Sequence, residues 1–147
     1  MNFLRIFLAA LGAFVAYFVL GGLMFGASPV MRNEFAKFPA VYRDKKGQMS
    51  HMPWGMAAMF IAILALAVLY ALIYKGASGM PVGAQAGAES GAKFGALIGV
   101  FALGSFVIHN YVNLNIGGKL TIQQAIAYFI QWVVVGVVIG IIYRPAM

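Results

Sequence analysis

The stretch that decides the fold is GAQAGAESGAKFGALIG, residues Gly83 to Gly99. A glycine recurs here at every fourth position, and Gly79 continues the spacing one step earlier. In a soluble helix each glycine would cost about 1 kcal/mol relative to alanine. In a bilayer glycines let two helix backbones approach closely, and that contact is a main source of helix association. The repeat therefore predicts a membrane helix with a glycine packing face, made of Gly83, Gly87, Gly91, Gly95 and Gly99.

The composition also points to a membrane. Hydrophobic residues make up 63% of the 147 residues and charged residues only 9%, whereas soluble domains average about a quarter charged. A soluble chain of this length could not cover so much apolar surface. The 10 basic residues outnumber the 3 acids and are dispersed between the apolar runs, which favours lipid headgroups and not nucleic acid as partners. The chain has no cysteine, which excludes disulfides and thiolate chemistry.

Four apolar runs reach the length of about 20 residues that a membrane helix needs. We expect one membrane domain over residues 1–147, with spans at 3–25, 53–74, 84–113 and 121–143. Pro53 suits a helix start, and Pro145 cannot continue a helix. The first run is longer than the apolar core of a signal peptide, so we expect it to be retained. Short connections predict antiparallel neighbours in sequence order, and hence an all-α four-helix bundle.

The first connection, residues 26–52, is the one sizeable polar region, and it is basic. Its charges alternate with Phe35, Phe38 and other apolar residues. One interpretation is a short interfacial helix in the headgroup layer; the other is a solvated loop whose aromatic residues rest on the bundle. The predicted headgroup contacts are Arg43, Lys45 and Lys46. Six cations on this side against four on the other favour, by a small margin, a cytoplasmic first loop.

The partner of the glycine face stays open between two possibilities. Gly136 and Gly140 repeat the four-residue spacing in the fourth run, so the face can pack within the chain. Four helical residues turn through about 400°, so the face drifts around the helix and suits a crossing angle of about −40°. The repeat is longer than one such crossing uses. Part of it is therefore available to a second protomer or to another protein.

Polar residues within the spans have two interpretations. Gln131 lies near mid-membrane, where its amide needs a hydrogen-bond partner on another helix. The alternative is a polar lining for a solute path, to which Asn110 and Asn113 would contribute. Glu89 and Lys93 have the i, i+4 spacing of a favourable helical ion pair, placed within the repeat itself.

Two histidines and a methionine series are the only candidates for metal chemistry. Thioethers select Cu(I), and imidazole suits copper or haem iron. A copper or haem site would use His51, His109, Met52 and Met56. Methionine is also a common gap-filler in apolar packing, and His109 fits an interfacial helix end. We expect no cofactor and keep the metal or haem site as an alternative.

Several local segments carry a family resemblance. They are Tyr42-Arg43 through Met52-Pro53, Leu69-Tyr70-Ala71, Gly91-Ala92-Lys93-Phe94-Gly95 and Gly136-x-x-x-Gly140-x-x-Tyr143. In these the chain resembles small uncharacterised bacterial membrane proteins with four helices. The resemblance implies a four-helix fold in the bacterial inner membrane and brings no established activity with it.

The sequence contains no carboxylate pair within a span, no phosphate-binding loop before a helix and no nucleophile beside a base. We therefore expect a non-catalytic protein. Its expected role is that of an accessory or subunit protein that packs against other membrane helices or lipid, as a homo-oligomer or in a larger complex. One alternative is a small oligomeric transporter or channel. The other is the copper or haem protein described above.

Overall fold

The computed structural model describes residues 1–75 and 83–143 of the chain. Within these ranges it contains helices and no strands, and four helices are long and apolar enough to cross a membrane. They cover Phe3–Ala27, Lys45–Tyr74, Ala84–Asn113 and Gly118–Ile142, which we call the first to fourth spans. The architecture is compatible with the integral membrane protein that the composition predicts. Gly79 and Pro145, which entered the sequence-based predictions, lie outside the described residues.

Six α-helices make up the described part of the chain. They are α1 (Phe3–Gly21), α2 (Pro29–Phe35), α3 (Lys45–Lys75), α4 (Ala84–Ala102), α5 (His109–Asn113) and α6 (Gly118–Ile142). Two π-helical turns accompany them: Gly22–Ala27 extends α1, and Leu103–Ile108 joins α4 to α5. In the second turn the Ser105 hydroxyl donates to the Phe101 carbonyl at 2.7 Å. The first and third spans are thus continuous helices with a locally wider turn near one end.

The second span begins at Lys45, well before the predicted start at Pro53. The reason is Asp44, whose carboxylate accepts a hydrogen bond from the Gly47 N–H at 2.8 Å, while its carbonyl accepts from Gln48 N at 2.9 Å. A side-chain acceptor at this position satisfies one of the free N–H groups of a helix start. Pro53 then lies inside the helix, where it removes one backbone hydrogen bond without ending the span.

The first and fourth spans form the centre of the packing. Helix α1 packs against both α3 and α6, and α6 packs in turn against α4. Ala9, Ala10 and Ala13 line the buried face of α1 and let the neighbouring helices approach. The larger buried side chains of this core are Ile6, Tyr17, Ile63, Tyr70, Phe94, Val135, Ile139 and Tyr143.

The second and third spans meet through aromatic contacts near the 75–83 connection. The ring centroids of Tyr70 and Phe94 lie 5.3 Å apart. The Tyr74 hydroxyl donates to the Ser90 carbonyl at 3.2 Å. The second and third spans contact each other less than the first span contacts the second, and less than the third span contacts the fourth. The described residues of the second and third spans therefore meet near these helix ends and not along the length of the helices.

Candidate functional site

The glycine face of α4 lies against the backbone of α6. A Cβ atom built on Gly87 would collide with the Gly140 carbonyl, and one built on Gly91 would collide with the Gly136 carbonyl. These contacts would be shorter than 3.0 Å, a distance that real Cβ atoms essentially never show. Because Gly87 faces the later glycine of α6 and Gly91 the earlier one, the two helices run in opposite directions. We call these four residues the glycine ridge; they set the distance between the two backbones.

The other predicted glycines occupy different environments. A Cβ on Gly95 would collide with the Trp132 carbonyl, so Gly95 extends the close contact by one turn. A Cβ on Gly99 would lie 2.8 Å from the Phe129 ring, which is a side-chain contact. A Cβ atom built on Gly83 would meet no described atom within 4 Å, and Gly83 has a φ of +132°, which an L-residue rarely adopts. Gly83 therefore precedes α4 as a backbone turn, outside the close contact between α4 and α6 that the structure describes.

The ion pair that the repeat predicts is present on the exposed side of α4. Lys93 Nζ lies 2.7 Å from Glu89 Oε1, and the two side chains are 73% and 67% exposed. The pair thus lies away from the glycine ridge. Its exposure indicates a surface role and no part in a buried site.

The three residues proposed as a polar lining differ in their exposure and in their hydrogen bonds. Gln131 is 1% exposed, and its amide nitrogen donates to the Tyr17 carbonyl of α1 at 3.0 Å. The Gln131 Oε1 has no hydrogen-bond partner among the described residues. Asn113 is exposed and donates to the His109 carbonyl at 2.7 Å, and Asn110 is half-buried in the same short helix. Gln131 therefore links the fourth span to the first.

The residues of the alternative metal or haem site are all on the surface. His51 and His109 are exposed, as are Met52 and Met56. The His51 Nδ1 lies 2.9 Å from both the Ser50 hydroxyl and the Gly47 carbonyl within its own helix. Within residues 1–75 and 83–143, no group of three or more His, Cys, Asp and Glu side chains is placed to hold a metal ion.

Residues 28–43 fold onto the start of α6 as a compact unit, which we call the cap. It begins at α2, where the Ser28 hydroxyl accepts from Met31 N at 3.4 Å and Pro29 occupies the first turn. Its apolar side chains pack around a small second core made of Met31, Ile116, Leu120 and Ala127, with Phe35, Phe38, Val41 and Tyr42 against it. The Tyr42 hydroxyl accepts from Gln124 Nε2 at 3.2 Å. The aromatic residues of the first connection therefore rest on the fourth span.

Glu34 ties the cap to α6, a role that the sequence around Glu34 does not predict. Its Oε1 accepts from Lys37 Nζ at 2.8 Å and from Lys119 Nζ at 2.9 Å, and its side chain is 7% exposed. These two hydrogen bonds, that from Lys37 first, lower the pKa of the Glu34 carboxyl below its ordinary value. The i, i+3 spacing of Glu34 and Lys37 is a local signal for the first contact. Nothing near Glu34 in sequence indicates the second.

A cavity of about 770 Å³ lies between the cap, the end of the first span and the start of the second. Its wall contains Arg32 of α2, Arg43 at the end of the cap and Lys45, the first residue of α3. The aromatic part of the wall is formed by Phe25, Phe35 and Tyr42, with Pro39 beside them. Two of the three predicted headgroup cations, Arg43 and Lys45, therefore share one cavity. The third, Lys46, is exposed and is not among the lining residues.

No family model matches this chain, and no curated protein or solved structure matches it either. The described residues alone define the class of the protein, which is a small helical chain with four helices long and apolar enough to span a membrane.

Proposed function

We propose that this chain is a non-catalytic integral membrane protein whose four spans form one antiparallel bundle, and that it acts as an accessory or subunit protein. The observation that carries the proposal is the glycine ridge. In hydrocarbon, burial of apolar side chains adds little to helix association, whereas close backbone packing adds a great deal. Because the glycine repeat of this chain forms such a contact, we infer that the chain is adapted to helix packing in a membrane.

The ridge is occupied by the chain's own fourth span, so a partner would contact another surface. The opposite face of α4 offers one, since Leu97 is 71% and Phe101 is 70% exposed. A second copy of the chain or a helix of a larger complex would pack here, and lipid acyl chains would cover what remains. The bacterial inner membrane stays part of this proposal because of the resemblance described above. The cap is assigned to the cytoplasmic side because the side that carries the first connection is the more basic.

The absence of cysteine makes single-cysteine labelling a direct test of the bundle. Lys46→Cys and Gln85→Cys are exposed positions at opposite ends of the spans. We expect a membrane-impermeant maleimide to reach Cys at position 85 from outside intact cells, and Cys at position 46 only after permeabilisation. Labelling of both from the same side would contradict the antiparallel arrangement, and the reverse pattern would contradict the orientation alone.

A photo-crosslinking amino acid at position 97, in place of Leu97, tests the accessory role in cells. The same amino acid in place of Ile61, which is similarly exposed on α3, probes a second face of the protein. Adducts to another copy of the chain would support a homo-oligomer. Reproducible adducts to one other membrane protein, reconstituted from the two purified components, would support a complex. If both positions yield adducts with lipid alone, the accessory role is wrong.

Within the described residues, two of the amides named for the transporter alternative are hydrogen-bonded inside the chain. The Gln131 amide is engaged with Tyr17, and the Asn113 amide is engaged within its own helix. A solute-flux assay in vesicles tests the transporter, and absorption spectra with metal analysis test the copper or haem protein.

A further inference from the structure

The cavity beside the cap joins an aromatic surface to a cationic one. The ring centroids of Phe25 and Phe35 lie 6.2 Å apart, and those of Phe35 and Tyr42 lie 4.6 Å apart. These rings are held by the second core, so this part of the wall is a fixed apolar surface. Arg32 lies on α2, whereas Arg43 and Lys45 lie where the cap joins α3. The cations therefore come from two separate segments that the fold brings to one place.

The acids near the cavity are already engaged. Glu34 accepts from Lys37 and Lys119, and Asp44 accepts from the Gly47 N–H at the start of α3. Among the described residues, the ion pairs join Glu34 and Glu89 to lysines and leave the three cavity cations without a carboxylate partner. Asp44 also lines the cavity, and its hydrogen bond comes from a neutral N–H. Three cations and one carboxylate therefore leave the lining with a formal net charge of +2.

The cavity also lies at a defined level of the molecule. Phe25 belongs to the final turn of the first span, which ends at Ala27, and Lys45 is the first residue of the second span. Apolar side chains at a span end lie where the hydrocarbon stops, and basic residues beyond them lie among headgroups. Phe25 is thus placed at the edge of the hydrocarbon, whereas Arg32 and Arg43 lie in the connection beyond it and Lys45 lies at the very start of the second span.

We infer that the cavity binds one anionic phospholipid, with its phosphate held by Arg32, Arg43 and Lys45 and its first acyl carbons on Phe25 and Phe35. Arginine suits this role because its planar donors match phosphate oxygens in pairs. The volume of about 770 Å³ falls in the range of about 300–1,000 Å³ usual for small-molecule sites. A free phosphate ion would make no use of the aromatic wall. The inference rests on the proposed membrane embedding and names the lipid class that this surface selects.

The test compares two substitutions that each remove one positive charge. Arg32→Gln removes a cavity cation, and Lys46→Gln removes an exposed neighbour that does not line the cavity. The full chain in a neutral detergent is titrated with phosphatidylglycerol, with phosphatidylcholine and with inorganic phosphate. One-to-one adducts are counted by native mass spectrometry. We expect a preference for phosphatidylglycerol that Arg32→Gln weakens by about fivefold or more, the size of one lost cationic contact, and that Lys46→Gln leaves within about twofold.

Equal losses in the two variants would overturn the inference, because they would indicate general surface charge. Equal binding of inorganic phosphate and the lipid would also overturn it and would indicate a site for a free anion. Should Arg32→Gln disturb the cap, Arg43→Gln on the other wall gives the same comparison. The assay uses protein in detergent, so it reports on the cavity even if cysteine labelling contradicts the proposed topology. Conversely, if the wild-type protein shows no preference for phosphatidylglycerol but the cysteine labelling gives the expected pattern, the bundle proposal stands and the lipid site is wrong.

Discussion

The glycine ridge and the cap hold the same helix, α6, by opposite means. At the ridge, Gly87 and Gly91 contact the backbone of α6 because they have no side chains. At the cap, Glu34 and Tyr42 contact α6 through long polar side chains that reach Lys119 and Gln124. The ridge has no charge and lies within the spans, where water cannot compete for backbone contacts. The cap lies at their end, where charges can be paired. Helix α6 is thus held by backbone contacts along its length and by an ion pair and a hydrogen bond near its start.

The largest effect is expected at the ridge. Gly91→Ala places a Cβ against the Gly136 carbonyl, so the helices must separate, and overpacking of this kind typically costs about 1–3 kcal/mol. Unfolding in SDS, followed by circular dichroism, measures the loss. The matched control is Gly104→Ala, because a Cβ built there meets no described atom within 4 Å. This variant should leave stability unchanged or raise it by less than about 1 kcal/mol. A similar loss in both variants would show that the effect is not specific to the backbone contact at the ridge.

The next effect is expected in the cap, and it is local. Glu34→Gln removes the charge shared by Lys37 and Lys119, so amide exchange in residues 29–43 should accelerate while exchange in the ridge stays constant. The control is Glu89→Gln, which breaks the exposed pair with Lys93 and should change exchange little, since exposed pairs contribute little. A cap that exchanges at the same rate in both variants would contradict the role given to Glu34.

The same contact predicts a pH dependence for the cap. The pKa of Glu34 is lowered in the folded chain by its hydrogen bonds with Lys37 and Lys119. Ionised Glu34 therefore stabilises the cap fully above its ordinary pKa, and this stabilisation is lost as the pH falls through the lowered value. The protection factors of the wild-type cap amides, which correct for the slower intrinsic exchange at low pH, should fall on acidification, whereas those of the Glu34→Gln variant should fall less. An identical pH response in both proteins would exclude this titration as the cause.

The smallest effect is expected from Gln131→Leu, between ridge and cap. The substitution removes the hydrogen bond to the Tyr17 carbonyl, and interhelical side-chain hydrogen bonds in membranes average about 0.6 kcal/mol. Gln123→Leu is the control, because the buried Gln123 Oε1 has no partner among the described residues and its removal should be neutral or stabilising. A solute flux that falls with Gln131→Leu, at unchanged stability, would favour the transporter instead.

Much of the helical architecture could be predicted from composition and spacing. The four apolar runs correspond to four helices of spanning length, because the length and hydropathy of a span are local properties. The boundaries were less predictable. Pro53 indicated a helix start, but Asp44 caps the helix earlier, and the π-helical turns at Gly22–Ala27 and Leu103–Ile108 had no evident signal.

The candidate site was predictable only in part. Arg43 and Lys45 were expected at headgroups because they are basic and border a span. Arg32 joins them only because the cap folds back, and the cap folds back because Phe35 and Phe38 find a partner surface on Ile116 and Leu120. Such contacts join residues far apart along the chain, and no local pattern encodes them.

The sequence by itself determined that the chain has four helices suited to a membrane and that one of them has a smooth glycine face. It could do so because hydropathy, length and glycine spacing act within a single helix. Only the tertiary structure decided what that face meets, where Glu34 finds its second lysine and which cations share a cavity. These contacts join segments that are far apart in the sequence, and such segments come close together only when the chain has folded.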